Sequence, residues 1–247
     1  MTSPFFSPET EAQFRAMEMP LPAPSRVKRH TELIQGSDEW LAARCGLLTA
    51  SEMKLIVTPG TLKAASNDKE RAHLFDLLAQ RITRYVEPHY VSDDMLRGHD
   101  DEVEARKLYA ARHADVDTSV GFITNDKWGF TLGYSPDGLV GGFGAIECKS
   151  RRQKYQIQTI LENEVPIEYM LQLQTGLLVA ELQWIDFVSY CGGLPLFVKR
   201  VYPDHRVQSA IIEAAGAFEK RLSEKLAAYH AMKLTPTERR VVQEMFV

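Results

Sequence analysis

The stretch Ser135–Lys149 constrains this chain more than any other. It reads Ser-Pro-Asp-Gly, then a glycine-rich run to Gly144, then Ala145-Ile146-Glu147-Cys148-Lys149. Pro-Asp-Gly sets a turn, because proline fixes φ and glycine reaches conformations other residues avoid. The glycines up to Gly144 set a second turn, leaving two short strands as a hairpin. Side chains alternate along a strand, so Glu147 and Lys149 share one face and Cys148 takes the other. Asp137, at the start of the neighbouring strand, meets the Glu147 and Lys149 face across the hairpin. Two carboxylates and one ammonium at one point are costly to desolvate unless something compensates. A hard divalent cation does so, and Mg²⁺ takes one or two carboxylates together with substrate phosphates. A solvated hairpin with scattered charges accounts for the same three residues, since common residue types match such spacing by chance. The rest of the chain decides between the two.

At 247 residues the chain is one large domain or a domain with additions. Hydrophobic residues at 45% and charged residues at 25% are those of a globular protein with a sizeable core. The net charge of −4 excludes a globally basic nucleic-acid binder, so attraction to a polyanion has to come from local patches and metal ions. Cys45, Cys148 and Cys191 are too far apart for a metal-ligand spacing and read as buried thiols in a reducing, cytoplasmic compartment. No apolar run approaches the ~18 residues of a membrane span, and the N-terminus lacks the basic-then-apolar pattern of a signal peptide.

Residues 1–33 hold Pro4, Pro8, Pro20, Pro22 and Pro24 and little periodicity, and read as an N-terminal extension. Ser37 is a helix N-cap, with Trp40, Leu41 and Arg44 on the helix and Gly46 as its stop. Thr49-Ala50-Ser51-Glu52 opens a second helix through Val57. A helix start carrying hydroxyls is an anion site, because its free N–H groups point outward, and Arg44 can add a bidentate grip on phosphate. Simple capping, with Arg44 paired to a surface acid, explains these residues too. A core helix spans 68–87, capped by Asp68, with Leu74, Phe75, Leu78 and Ile82 on one stripe. The next helix, 93–113, places Glu102, Ala105 and Tyr109 on one face, so that Glu102 needs a partner.

Strands are expected at Val120–Thr124, Trp128–Leu132, Leu139–Val140 and Ala145–Cys148. The run Lys149-Ser-Arg-Arg-Gln-Lys154 directly follows the carboxylates and suits a phosphate backbone passing the site, with Arg151, Arg152 and Lys154 as contacts. A helix starting at Pro166 carries Tyr169, Gln172, Leu173 and Gly176, and its polar residues either reach the site or sit satisfied in the core. Strands Trp184–Tyr190 and Leu196–Val201 and a helix Val207–His230 complete the core. The tail, 233–247, is apolar at its end and is expected to pack on its own domain or on a neighbouring subunit.

The order of elements makes an α/β domain, 34–232, with a central mixed β-sheet flanked by helices and carrying the acids. Asp137 and Glu147 would bind Mg²⁺ or Mn²⁺, and Lys149 would hold or deprotonate the attacking water, with Glu102 as a further ligand. The reaction class is in-line phosphodiester hydrolysis, in which the metal acts as a Lewis acid.

The chain resembles the phage lambda exonuclease and YqaJ-type viral recombinase family, a branch of the PD-(D/E)xK nuclease superfamily. The matching stretches run in order: Gln35-Gly36-x-Asp38-x-Trp40-x3-Arg44-x-Gly46-x2-Thr49-Ala50-Ser51-Glu52, Gly98-x3-Glu102-x2-Ala105-Arg106, Ser135-Pro136-Asp137-Gly138, Glu147-Cys148-Lys149 and Tyr169-Met170-x-Gln172-x-Gln174. The resemblance implies a restriction-endonuclease-like core and an alkaline, Mg²⁺-dependent exonuclease in which Mn²⁺ substitutes for Mg²⁺, with two ions per site. It implies degradation of the 5′ strand at double-stranded DNA ends, a homotrimeric ring, a single-strand annealing protein as partner, and a phage or prophage origin in a bacterial cytoplasm.

Residue by residue, the resemblance makes Asp137, Glu147 and the Cys148 carbonyl metal ligands and Lys149 the catalytic lysine. Glu102 and Gln172 support metal and water, and Asp126 matches a further acidic position. Arg44, Ser51 and Ser135 match a pocket for the terminal 5′ phosphate, and Met95 or Leu96 falls where a wedge splits the end base pair. A restriction-type or junction-cleaving endonuclease on the same motif, and a DNA-end-binding subunit without turnover, are the competing readings.

Overall fold

The computed structural model describes residues 26–87 and 93–237, without the side chains of residues 93–96 and 99. Most of the expected extension, the tail beyond residue 237 and the Met95 and Leu96 side chains lie outside them. β1 (Val27–His30) opens the described chain, within the segment read as an extension. Ser37 caps α1 (Asp38–Arg44), its hydroxyl accepting the Trp40 N–H at 3.2 Å, and Gly46 at φ +72° turns the chain out of it. β2 (Leu48–Thr49) leads into a 3₁₀ turn, Ala50–Glu52, and then α2 (Met53–Ile56), where a single helix was expected. α3 (Asp68–Thr83) is capped by Asn67, not by Asp68, and ends on Arg84 in the left-handed region. Its buried side is Glu70, His73, Leu74, Leu77 and Leu78, and Phe75 is turned out, 50% exposed.

α4 (Asp93–Arg112) precedes β3 (Phe122–Asn125), β4 (Leu132–Tyr134), β5 (Gly138–Val140) and β6 (Gly144–Ser150). Residues 128–130, expected in a strand, form a turn with Gly129 at φ +84°, so that β4 ends at Tyr134, next to Ser135. After β6 comes a helix that the apolar pattern did not announce, α5 (Gln153–Glu162). Its buried residues are the polar Gln156 and Thr159. The Gln156 amide donates to the Ser189 and Pro195 carbonyls at 3.0 and 2.9 Å. α6 (Ile167–Ala180), β7 (Trp184–Tyr190), β8 (Phe197–Val201) and α7 (His205–Ala231), capped by Asp204, complete the chain.

The strands form two mixed sheets of four where one central sheet was expected, in the orders β1-β3-β4-β2 and β5-β6-β7-β8. The chain passes from the first to the second through Ser135-Pro136-Asp137. Pro136 has no N–H to give a ladder, which suits a break at this point. β5 and β6 are the expected hairpin, pairing Gly138 with Ile146 and Val140 with Gly144, and β6 runs parallel to β7. A larger core packs α2, α3, α6 and α7 against both sheets. A smaller one packs Ala105 and Tyr109 of α4 against Ile146, Cys148 and Val188 on the other face of the second sheet. No helix among the described residues is long and apolar enough to cross a membrane.

Candidate functional site

β6 delivers the acids as its alternation requires. Glu147 is buried, and the Lys149 ammonium donates to its Oε1 at 2.7 Å. The Gln172 amide, from α6, donates to the same oxygen, and the Tyr134 hydroxyl reaches Oε2 at 3.4 Å. α6 comes this close because residue 176 is glycine; a Cβ there would stand 2.8 Å from the Tyr134 ring. Asp137 Oδ2 accepts the Cys148 N–H at 2.6 Å, pinning this carboxylate to the β6 backbone beside Glu147. Burial pushes the Glu147 carboxyl up to about 7, against the pull of Lys149 and with the Asp137 charge adding to the push. Burial also disfavours the Lys149 ammonium, but Glu147 and Asp137 outweigh it and hold its pKa above the ordinary lysine value.

α4 brings Glu102 to the edge of this cluster. Burial, and then the Asp137 charge, push its carboxyl up to about 7, against Lys149 and Arg106. The helix is anchored at two points. Asp101 accepts from the Ser150 hydroxyl at 2.5 Å, and the Tyr109 hydroxyl donates to Asp186 at 2.7 Å. Arg200 grips the same Asp186 carboxylate with two bonds of 2.8 and 2.9 Å.

The facing corner belongs to the first sheet and α1. The Arg44 guanidinium donates to the Ser135 and Thr49 hydroxyls at 3.2 and 3.3 Å and lies 4.3 Å above the Trp40 ring. The Trp40 indole N–H also donates to Ser135 Oγ, at 3.1 Å. Thr49 donates to Glu52 at 2.7 Å and sits 3.3 Å from the Ser51 hydroxyl. Arg44 is thus held by neutral groups. Burial lowers its pKa, with the Glu52 charge opposing.

One cavity of about 160 Å³ is lined by both corners: Arg44, Ser51 and Ser135 on one side, Asp137, Glu147, Lys149 and Gln172 on the other. Trp40 and Tyr134 also line it. Sequence reasoning gave them no site role, although Trp40 stands among the matched residues and Tyr134 directly precedes Ser135. Glu102 lines a second, larger groove that shares Lys149 with this cavity. Asp126 is a correction. β3 pairs Ile123 with Tyr134 and Asn125 with Leu132, so Asp126 lies beyond the end of β3 far from Ser135. Its side chain is 60% exposed and stands 3.9 Å from Arg26. Arg151 is turned inward, donating to Glu168 at 2.7 Å and to the Tyr169 hydroxyl at 2.9 Å. Arg152 lines the larger groove, and Lys154 lies 4.6 Å over the Tyr155 ring.

Among the described residues no three His, Cys, Asp or Glu side chains are set together as metal ligands. The Asp137 and Glu147 carboxylates offer oxygen donors, and Mg²⁺ commonly takes only one or two carboxylates from a protein. Burial first, and the neighbouring Asp137 charge after it, raise Glu147 and Glu102 to about 7, so both carboxylates are costly to ionise without a compensating cation. A hard divalent cation therefore fits the residues present.

The sequence pattern of the YqaJ-like viral recombinase domain matches residues 39–183. No curated protein matches the chain. Among solved structures, the chain is similar to an alkaline exonuclease, LHK-Exo, from Laribacter hongkongensis, at 30% identity and a TM-score of 0.71 over 80% of this chain and 98% of that one. LHK-Exo solved in complex with dAMP gives 33% identity and a TM-score of 0.71 over 81% and 100%. A phage-related exonuclease from Haemophilus somnus 129PT, at 13% identity and a TM-score of 0.55 over 74% and 96%, shares the fold.

Proposed function

This chain belongs to the YqaJ-like viral recombinase domain family, and on that premise we propose that it is a metal-dependent exonuclease acting on the ends of linear double-stranded DNA. It removes the 5′ strand and leaves a 3′ single strand for annealing. Its α/β core is of the PD-(D/E)xK kind, with Asp137 and Glu147-x-Lys149 on paired strands. The observation that carries the reading is the single cavity shared by an arginine-hydroxyl corner and a carboxylate-lysine corner. An endonuclease has no need of the first corner; an enzyme that starts at a 5′-phosphorylated end does.

In this reading Arg44, Ser51 and Ser135 hold the terminal 5′ phosphate, with Trp40 keeping Arg44 and Ser135 in place. Asp137, Glu147 and the Cys148 carbonyl hold Mg²⁺, which supplies Lewis-acid stabilisation of the phosphate charge. Gln172 and Tyr134 fix the rotamer of Glu147. Lys149, kept as an ammonium by its neighbours, places positive charge at the scissile phosphate and orients the water. Glu102, half-buried and with a pKa near neutrality, is suited to exchange a proton with that water. A homotrimeric ring around the DNA and an annealing partner complete the reading.

The test is digestion of 5′-phosphorylated linear duplexes labelled at either end, beside closed circles, with Mg²⁺ present. Loss of the 5′ strand from linear DNA, with intact circles, is expected. Cut circles would overturn the reading in favour of an endonuclease, and binding of ends without turnover in favour of a non-catalytic end-binding subunit.

A further inference from the structure

The catalytic cavity, at about 160 Å³, has room for a phosphate and its immediate ligands. The adjoining groove measures about 720 Å³, within the size range of nucleotide-sized ligand sites. Its walls come from the N-terminal half of α4, from α5 and from the start of α6, and Lys149 lines both spaces. Along the groove, cations and aromatic rings alternate. Lys149 Nζ lies 5.9 Å from the Tyr169 ring centroid. Arg151 Cζ stands 5.4 Å from the same ring and 5.1 Å from that of Tyr155. Lys154, next to the groove in sequence, has its Nζ 4.6 Å from the Tyr155 ring centroid.

Two features single this ladder out from ordinary surface chemistry. The Arg151 side chain is only 9% exposed, and its Nε is buried without a hydrogen-bond partner. Tyr155 is 42% exposed on the first turn of α5, a helix whose buried positions are polar. Of the three acids in the groove wall, Glu168 accepts from Arg151 and Glu162 from the Gln158 amide, and the third is Glu102. Tyr155 thus presents a partly exposed ring with the Arg151 and Lys154 cations beside it. Single-stranded nucleic acid is bound by that combination, since every base has a π-face to stack and every linkage a charge to neutralise.

We propose that this ladder holds unpaired nucleotides of the strand being cut, on the 3′ side of the scissile phosphate, with one base stacked on Tyr155. The inference rests on the exonuclease reading for its polarity. With the terminal phosphate at Arg44, the remainder of the strand leaves the cavity past Lys149, where the groove begins. Tyr155 is then a positioning residue: it sets where the strand lies and has no part in the chemistry.

The test is equilibrium binding, by fluorescence anisotropy, of 5′-phosphorylated duplexes labelled at the far end, without divalent cation. The set comprises the unmodified duplex and versions with an abasic site at each of the first four nucleotides of the 5′ strand. Tyr155→Ala is expected to bind the unmodified duplex about five- to a hundredfold more weakly, and Tyr155→Phe within about twofold of wild type. At one abasic position the cost of Tyr155→Ala should vanish, because the base that stacks is already gone. An equal cost at every position, or Tyr155→Phe as weak as Tyr155→Ala, overturns the proposal. Degradation of linear duplex by the wild type reports separately on the exonuclease reading and can stand when the ladder falls.

Discussion

The two corners of the cavity are starved of opposite charges. In the first, Arg44 is surrounded by an indole and hydroxyls, and burial pulls its pKa down. In the second, carboxylates crowd around one ammonium, and burial pushes Glu147 up to about 7. One corner lacks an anion and the other a cation. Each hangs on a different sheet, and the turn Ser135–Asp137 joins them. On the proposed reading, a phosphorylated strand end with a divalent ion would supply both missing charges at once, and neither corner by itself points to that ligand.

The largest expected effect strikes the carboxylate corner. Lys149→Ala should lower the turnover of linear duplex by at least about 10²-fold while leaving affinity for DNA ends near wild type. Single-turnover rates beside end-binding isotherms check it, and normal cleavage would remove Lys149 from the chemistry. Next comes the arginine corner. Arg44→Ala removes charge-assisted bonds of about 1.5–3 kcal/mol, so KM for 5′-phosphorylated ends should rise about ten- to a hundredfold. With 5′-hydroxyl ends the change should be small, and a wild type indifferent to the end group would dissolve the contrast between corners.

A smaller effect comes from pH. Glu147 and Glu102 are raised from 4.5 to about 7 in the folded chain. The unfolded chain loses these protons near 4.5, so their stabilising contribution is full below that pH and is lost as pH rises through 7. Metal binding has the opposite sign, because it needs the carboxylates deprotonated. The metal-free melting temperature should fall by a few degrees between about pH 5 and about pH 8, and Mg²⁺ should raise it at the upper pH only. Equal stabilisation by Mg²⁺ at both would break the account of the second corner. The smallest effect is Asp126→Asn, which should leave turnover within about twofold, as for an exposed surface substitution. A large loss would bring Asp126 back into the site.

Legibility followed the range of the forces involved. Ser37 as a cap, the hairpin 135–149 and the shared face of Glu147 and Lys149 each depend on a few neighbouring residues, and all were readable. α5 was not, because it buries Gln156 through hydrogen bonds to the Ser189 and Pro195 carbonyls, buries Thr159 against the Tyr155 carbonyl of its own preceding turn, and turns Ile157 and Leu161 outward. β1 was missed for a related reason: four residues with no apolar alternation become a strand only when β3 lies alongside. The resemblance supplied the order of the site residues, and it carried Asp126 along although strand register takes that residue elsewhere.

By itself, then, the sequence determined the local devices: the Ser37 cap, the turn at Ser135–Gly138, and the order of an arginine-hydroxyl segment, a helical glutamate, an Asp…Glu-x-Lys hairpin and a helical glutamine. Only the tertiary structure decided that Arg44 meets Ser135 across 91 positions, that Gln172 meets Glu147 across 25, and that Arg151 faces inward between two tyrosines. Periodicity and turn chemistry act over one or two turns of chain. Meetings between distant segments depend on sheet register and on how closely helices approach, which at Gly176 comes down to the absence of one Cβ.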